Sequence, residues 1–151
     1  MVRRETIWDP EAKARVVARI RALRSDAPRG WGTMNAPQMI AHLSDQMRHT
    51  LARTPVAARP GILRNPLVRW ASIYLVPWPK GRVKGPPEAF STPPAEWNDD
   101  VDALVVLLDE FTARDIADSW PEHALFGRMS GKDWGAFIYK HFDHHLRQFG
   151  G

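Results

Sequence analysis

The sequence predicts an all-α fold, a bundle of four long helices formed by one domain spanning residues 1–151. Four segments repeat apolar residues every three or four positions, the period of a helix that is buried on one face. No segment alternates Val, Ile or Thr with polar residues, as half-buried strands do. With 44% hydrophobic residues in 151 positions, the chain has the length and composition of one globular domain.

The first two predicted helices span residues 10–24 and 36–53. Asp9 and Asn35 precede them as N-caps, and a proline follows each cap within two positions, where its missing N–H costs no helical hydrogen bond. The apolar faces consist of Val16, Val17, Ile20 and Leu23 in the first helix and of Met39, Ile40, Leu43, Met47 and Leu51 in the second.

The last two predicted helices span residues 95–114 and 131–149. Along the earlier one runs an apolar seam that consists of Trp97, Val101, Leu104, Leu108 and Phe111. The later one begins with Ser130, followed three residues on by Asp133, which approximates a capping box. Gly150 ends this helix.

A proline-rich connection of about 40 residues joins the second and third helices and holds nine of the 13 prolines. Leu63, Leu67, Trp70 and Tyr74 lie at helical spacing within it, so we expect a short helix with these four side chains buried. A connection of this length in a compact domain usually has a function or covers another part of the fold. We therefore expect residues 55–94 to pack over the bundle and to form the mouth of a pocket.

Composition excludes several classes of site and of location. The chain has no cysteine, which excludes disulfides, thiolate metal ligands and cysteine nucleophiles. Its most apolar stretch, residues 71–78, is far shorter than the roughly 20 residues that cross a membrane. The first five residues lead into a polar helix and not into an apolar signal segment. We therefore expect a cytoplasmic protein without a membrane partner.

The distribution of charge argues against a nucleic-acid partner. The net charge is +4, but basic and acidic residues are segregated along the chain. Residues 46–87 contain eight Lys or Arg and no acid, whereas residues 88–122 contain ten acids and one base. No nucleic-acid-binding motif accompanies the basic segment. Two halves that face each other, or a generally soluble surface, account for this distribution better.

Two histidines of the fourth predicted helix indicate metal binding. At 100° per residue, His141 and His145 fall within about 20° of Trp134, on the stripe that faces the interior. Histidines four positions apart have Cβ atoms about 5–6 Å apart, so their ring nitrogens can converge on one ion. His144 falls on the flank of this stripe. In the alternative interpretation, each imidazole finds its own hydrogen-bond partner and packs as a polar core residue.

A third ligand would come from the second helix, where His42 and His49 lie along one edge of the apolar face. His42 is at the border of the core, from which a side chain can still reach a cavity between two helices. We expect His49 to be an ordinary surface residue, and His123, in a loop beside Pro121, to be structural or exposed. Asp45 is interpreted as a surface acid, with the orientation of a nearby imidazole as the alternative.

Three stretches of the chain resemble proteins of the DinB/YfiT-like superfamily. WGTMNAPQMIAHL, at residues 31–43, is similar to the start of the second helix of DinB-like proteins. PEHALFGRMSGKDW, at residues 121–134, and YKHFDHHLRQF, at residues 139–149, resemble the end of an uncharacterised branch of that superfamily, a domain of unknown function. The order and spacing agree over essentially the whole chain, and these C-terminal stretches are the most specific part.

The resemblance implies a four-helix bundle of DinB/YfiT-like type, with the proline-rich segment as a long crossover between helices two and three. It also implies a divalent metal, zinc or nickel, held by a histidine triad of His42, His141 and His145, in which His144 takes no part. Characterised members of the superfamily include transferases that use a low-molecular-weight thiol, and metal-dependent hydrolases. A metal that activates a thiol or a water molecule is therefore implied for this chain.

Two functions remain open at the level of the sequence. The chain is either a metal-dependent S-transferase or hydrolase, or a helical protein that binds a small molecule without turnover at a vacant or degenerate metal site. No carboxylate stands clearly beside the histidines as a general base. The basic residues of the segment 46–87, Arg64 and Arg69 among them, favour an anionic ligand such as a carboxylate-bearing thiol, unless they pair with the acids of the third helix. A homodimer is compatible with the sequence.

Overall fold

The structure is a computed structural model that describes residues 4–81, 85 and 87–151. It contains five α-helices, α1 (Pro10–Ala22), α2 (Ala36–Thr50), α3 (Pro66–Tyr74), α4 (Trp97–Ala113) and α5 (Gly131–Gln148). Short 3-10 turns at Ile62–Arg64 and Pro87–Phe90 lie between α2 and α4. Among the described residues, β-pairing is limited to one bridge between His123 and Gly127, so the prediction of an all-α fold is confirmed. None of the helices in this part of the chain is long and apolar enough to cross a membrane.

Local sequence sets where the helices begin. The Asp9 carboxylate accepts hydrogen bonds from the backbone N–H groups of Glu11 and Ala12 at the start of α1. Asn35 and Ser130 each form a full capping box at the starts of α2 and α5. Because each box pairs two backbone groups that the first helical turn leaves unbonded, these caps fix the helix starts. The three predicted caps are confirmed.

The hydrophobic core lies where α1, α2, α4 and α5 meet. α2 packs mainly against α4, and α5 packs against α1, α2 and α3. The largest fully buried side chains include Trp134, Phe111, Phe142, Met39, Ile40, Leu43, Met47, Leu104, Leu108 and Ile138. Most of them belong to the apolar faces that the helical period predicts. Burial of these faces is therefore the main contribution that holds the helices together.

The connection between α2 and α4 departs from the sequence prediction in its apolar side chains. Leu67 is 76% exposed and Trp70 is 43% exposed, whereas Leu63 and Tyr74 are partly buried against the core. The expected burial is therefore wrong for Leu67 and Trp70. The prediction assumed one continuous helix, but Asn65 adopts an extended conformation between the first 3-10 turn and α3. Leu63 consequently shares no helical face with the other three, and α3 buries Ile73 in place of Leu67 and Trp70.

This connection is attached to the other helices at two places. α3 packs against α5, where the Lys140 ammonium donates to the carbonyl of Ser72 at 2.6 Å. The Pro87–Phe90 turn packs against α2, where the Asp45 carboxylate accepts the backbone N–H of Thr92 at 3.0 Å. The connection thereby lies beside both α2 and α5, the two helices that carry the predicted metal ligands.

Candidate metal centre

Three imidazoles converge in the interior, His42 from α2 and His141 and His145 from α5. His141 Nε2 lies 3.1 Å from His42 Nε2 and 3.1 Å from His145 Nε2. One nitrogen from each of the three rings lies within 4.8 Å of the other two. His42 and His141 are only 5% and 7% exposed. The structure therefore brings together the three histidines that were predicted as ligands.

The two helices contribute to this cluster in different ways. On α5, Trp134 and Ile138 are fully buried, so the stripe they define carries His141 and His145 inward as predicted. On α2, residues 39–47 are buried without interruption, and the Pro87–Phe90 turn packs against this helix. His42, placed by its sequence at the border of the core, is consequently enclosed.

Hydrogen bonds determine which nitrogen of two rings carries the proton. His42 Nδ1 lies 2.7 Å from the carbonyl oxygen of Ala89, and His145 Nδ1 lies 2.9 Å from the side-chain oxygen of Gln148. The Gln148 amide nitrogen in turn donates to the carbonyl of Trp31 at 2.7 Å, which fixes the orientation of the amide. Because both acceptors are oxygens, each Nδ1 is the donor and each Nε2 keeps a lone pair.

His141 has no proton arrangement that satisfies the cluster. Its Nδ1 is buried and has no hydrogen-bond partner. A proton on His141 Nε2 can be donated to only one of the two neighbouring Nε2 atoms, and a proton on Nδ1 leaves three lone pairs facing one another. A divalent cation bound by the three Nε2 atoms would accept all three lone pairs. The three clustered histidines are therefore chemically suited to bind a metal ion.

Burial keeps the three rings neutral. Desolvation lowers the pKa of His42, although the Ala89 carbonyl and the Asp45 charge oppose this shift. Desolvation also holds the pKa of His141 well below its usual range, with His145 as the next cause. The pKa of His145 falls to about 3 through burial and through the neighbouring His42. Neutral imidazole is the form that binds a metal, so no proton has to leave the site before binding.

The cluster lies on the wall of a cavity of about 600 Å³, a volume typical of small-molecule sites. All three histidines line it. Its apolar wall includes Trp31, Trp78, Phe90, Leu125, Phe126 and Phe137. The connection between α2 and α4 supplies part of this wall through Trp78 and Phe90. The Phe90 ring stacks on the His42 ring, with 4.5 Å between their centroids and an angle of 11°.

The other histidines lie outside the cluster. His144 lines the cavity beside the cluster but is not one of its three members. His49 is buried, and its ring nitrogens lie 3.3 Å and 3.1 Å from the carbonyls of Thr54 and Glu122. Its expected surface position is wrong, because the segments around those two residues cover it. His123 is structural, since its Nδ1 accepts two backbone N–H groups of the loop that follows.

Asp45 is not the surface acid that the sequence indicates. It is 6% exposed and binds the backbone N–H of Thr92 and the guanidinium of Arg48. The hydrogen bond that orients His42 comes from the carbonyl of Ala89 instead. The interpretation fails because the segment that follows Pro87 folds back over this part of α2.

Two basic residues expected at the pocket mouth bind a loop instead. Arg64 pairs with Glu122 at 3.1 Å, and Arg69 donates to the carbonyl of Phe126 at 3.1 Å. Neither is part of the described cavity wall. Both attach the connection to the loop that precedes α5. Two more basic residues of this segment lie outside the described residues, namely Arg82 and Lys84.

Two residues that orient the candidate ligands were not identified from the sequence. Gln148 lies three positions after His145, and residues at this spacing are neighbours on a helix surface. Helix geometry could therefore have identified Gln148 as a partner of His145. Ala89 contributes only its carbonyl oxygen, a group that every residue carries. No side-chain pattern could have indicated Ala89.

Residues 6–150 match the family described as Protein of unknown function (DUF1569). The chain belongs to the DUF1569 family. All three clustered histidines, together with Ala89 and Gln148, lie within the matched region. Comparison with curated proteins and with solved structures finds no match to this DUF1569 protein.

Proposed function

We propose that this DUF1569 protein binds one divalent metal, zinc or nickel, through His42, His141 and His145. The observation that carries the proposal is the convergence of three Nε2 atoms, with distances of 3.1 Å from His141 to each partner. The absence of a proton arrangement that satisfies all three Nε2 atoms supports it. Catalytic zinc sites have three protein ligands and keep one position open, so a metal held by these three imidazoles could also bind water or a ligand.

We further propose that the protein is DinB-like. In this proposal α1, α2, α4 and α5 form a four-helix bundle of DinB/YfiT-like type, and residues 51–96 form its long crossover. Support comes from the helix order and from nine of the 13 prolines lying in that segment. One candidate ligand on α2 and two on α5, spaced four apart, agree with the pattern that the sequence resemblance implies.

The reaction proposed for the site is transfer of a group to a low-molecular-weight thiol, with hydrolysis as the related possibility. A bound divalent ion lowers the pKa of a thiol or a water molecule. The chain's own residues would hold the site rigid. Ala89 and Gln148 orient two of the rings, and Phe90 covers one face of His42.

Metal content measured on untagged protein tests the metal proposal. Elemental analysis should find about one equivalent of zinc or nickel in the wild type and little in His141→Ala. His144→Ala is the matched control, because it removes a neighbouring histidine of the same helix that is not a proposed ligand. Equal metal content in the wild type and in His141→Ala contradicts the proposal.

A second function, binding of a small molecule without turnover, is favoured by one observation. No Asp or Glu belongs to the described cavity wall, so that wall offers no carboxylate as a general base. Zinc-loaded protein mixed with N-acetylcysteine and 1-chloro-2,4-dinitrobenzene distinguishes the two functions. Thioether formation above the rate of His141→Ala supports the transferase, and an unchanged rate supports the binding protein.

A further inference from the structure

The chemistry of the cavity wall restricts the ligand that this site accepts. The wall carries the three candidate metal ligands at one place and large apolar side chains elsewhere. Trp78 lies beside the cluster, with its ring centroid 5.8 Å from that of His141, and it also contacts Phe137 at 5.6 Å. A ligand that reaches the ion would therefore contact aromatic rings with the rest of its structure.

The charge of the site sets the character of the donor atom. An imidazole that binds a metal through Nε2 carries no charge, so a divalent ion held by the three rings would keep both of its positive charges. No Asp or Glu belongs to the described wall that could neutralise them. An anionic donor on the ligand would supply the missing charge, whereas a cationic ligand would meet uncompensated repulsion.

The two amide side chains of the wall are already engaged. Gln148 uses both ends of its amide, on His145 and on the carbonyl of Trp31. The Gln46 amide donates to Thr50 at 3.5 Å. Thr33, Ser72 and His144 add three polar side chains, but most of the wall is apolar. A polyhydroxylated ligand would therefore leave most of its hydroxyl groups without partners, and burying such groups is unfavourable. An aromatic or branched aliphatic body has no hydroxyl groups to leave without partners, and its burial in the cavity lowers the free energy of binding.

We propose that the cavity takes an amphipathic acid, meaning an anionic donor group joined to an aromatic or branched aliphatic body. This inference rests on the proposed metal site, since the donor group is assigned to the ion. It names the substrate class of that site: the thiol or its reaction partner is apolar beyond the donor atom and is not a sugar-like or polyhydroxylated molecule.

Three hydroxamates with the same donor group test the proposal on zinc-loaded full-length protein. 2-Naphthohydroxamate has an apolar body, gluconohydroxamate has a polar one, and acetohydroxamate has only a methyl group. Calorimetric titration should give a dissociation constant at least tenfold lower for the naphthyl probe than for acetohydroxamate. Gluconohydroxamate should bind no more tightly than acetohydroxamate.

Two tryptophan variants show whether the cavity is the source of this preference. Trp31 belongs to the wall, and Trp31→Ala keeps the backbone carbonyl that binds Gln148. Trp31→Ala should reduce the preference for the naphthyl probe at least threefold while the affinity for acetohydroxamate stays within twofold. Trp70→Ala is the control, because Trp70 is 43% exposed and is not part of that wall. It should leave all three affinities unchanged.

The outcomes of these measurements separate the inference about the ligand from the proposed metal site. Zinc binding without a preference for the naphthyl probe overturns the inference about the ligand and leaves the metal site intact. The same conclusion follows if gluconohydroxamate binds as tightly as the naphthyl probe, or if Trp31→Ala and Trp70→Ala lose affinity equally. A wild-type protein that takes up no zinc, measured in the same samples, overturns both proposals.

Discussion

Gln148 couples α5 to the loop before α2 through a single amide group. Its oxygen binds His145 Nδ1 and its nitrogen binds the carbonyl of Trp31. Gly32 makes room for this amide, since a Cβ at that position would lie 2.6 Å from the Gln148 nitrogen, and its φ of +77° suits glycine. The orientation of one proposed ligand therefore depends on the loop before α2 as well as on α5.

Replacing Gln148 by Met should weaken zinc binding about 10- to 100-fold, because His145 Nδ1 loses the acceptor that holds the ring and its tautomer. Competition with a chromophoric chelator measures the zinc dissociation constant. Gln38→Met is the matched control, since Gln38 caps α2 at an exposed position away from the cluster. Unchanged zinc affinity in Gln148→Met would show that this amide does not orient a ligand.

Buried histidines should make the metal-free protein sensitive to acid. Desolvation lowers the pKa of five buried or partly buried histidines, namely His42, His123, His141, His144 and His145. In the unfolded chain a histidine titrates near pH 6.5. Below that pH the unfolded state binds more protons than the folded state, so the free energy of unfolding falls as the pH drops. Each such histidine contributes a slope of up to about 1.4 kcal/mol per pH unit.

Urea unfolding of metal-free protein at pH 7, 6 and 5 measures this slope. His123 is a suitable probe because it is not part of the metal cluster, while burial lowers its pKa to about 3. His123→Gln should reduce the loss of stability between pH 6 and pH 5 by about 1 kcal/mol relative to the wild type. A free energy of unfolding that is constant from pH 7 to pH 5 is incompatible with neutral buried histidines.

At the scale of elements, α2 and the segment that follows the Pro87–Phe90 turn depend on each other. Asp45 on α2 binds Thr92 through both the backbone N–H and the hydroxyl group. The turn itself delivers the carbonyl of Ala89 to His42 and the ring of Phe90 to its face. The buried Asp45 carboxylate is thus the main polar attachment between a helix that carries a candidate ligand and the chain that covers it.

Asp45→Ala should lower the free energy of unfolding by about 1–3 kcal/mol, because Thr92 and Arg48 lose a buried charged acceptor. Asp102→Ala should change it by less than about 1 kcal/mol, since Asp102 forms an ion pair with Arg21 in which both side chains are at least half exposed. Urea unfolding at pH 7 compares the two variants. Equal losses would mean that Asp45 contributes no more than a surface ion pair.

At the scale of the whole molecule, the proposed ion would link parts of the fold that are far apart in the sequence. α2 and α5 contribute the candidate ligands. The connection 51–96 holds the His42 ring through the carbonyl of Ala89. The His145 ring is held by Gln148 of α5, whose amide is bound in turn to the loop before α2. Unfolding would separate all of these groups. Metal binding should therefore stabilise the entire folded state and not one helix alone.

Zinc present at about 100 times its dissociation constant should raise the free energy of unfolding by about 2.7 kcal/mol, provided that it binds only the folded state. Chemical unfolding with and without zinc at pH 7 measures the difference. His145→Ala should remove most of the gain while His144→Ala keeps it. Equal stabilisation of His145→Ala and the wild type would indicate zinc binding elsewhere on the chain.

Interactions between residues close together in the chain were predictable from the sequence. The caps at Asp9, Asn35 and Ser130, the helical class and the inward direction of His141 and His145 all follow from rules that act within one or two helical turns. A rigid 3.6-residue period makes the relative direction of two side chains on one helix a local property. The pairing of His145 with Gln148 belongs to the same class, although it was not identified in advance.

Contacts between segments that are far apart in the sequence could be identified only from the folded structure. The sequence placed His42 and His49 on the same edge of α2, but only His42 joins the cluster, because α5 approaches one end of that edge and the loop at Glu122 covers the other. Asp45 is buried because the segment after Pro87 folds back over α2. The path of such a connection depends on the total free energy of its burial and hydrogen bonding with many residues that are far away in the sequence. No local period encodes that sum, so the enclosure of the candidate metal centre is a property of the tertiary fold.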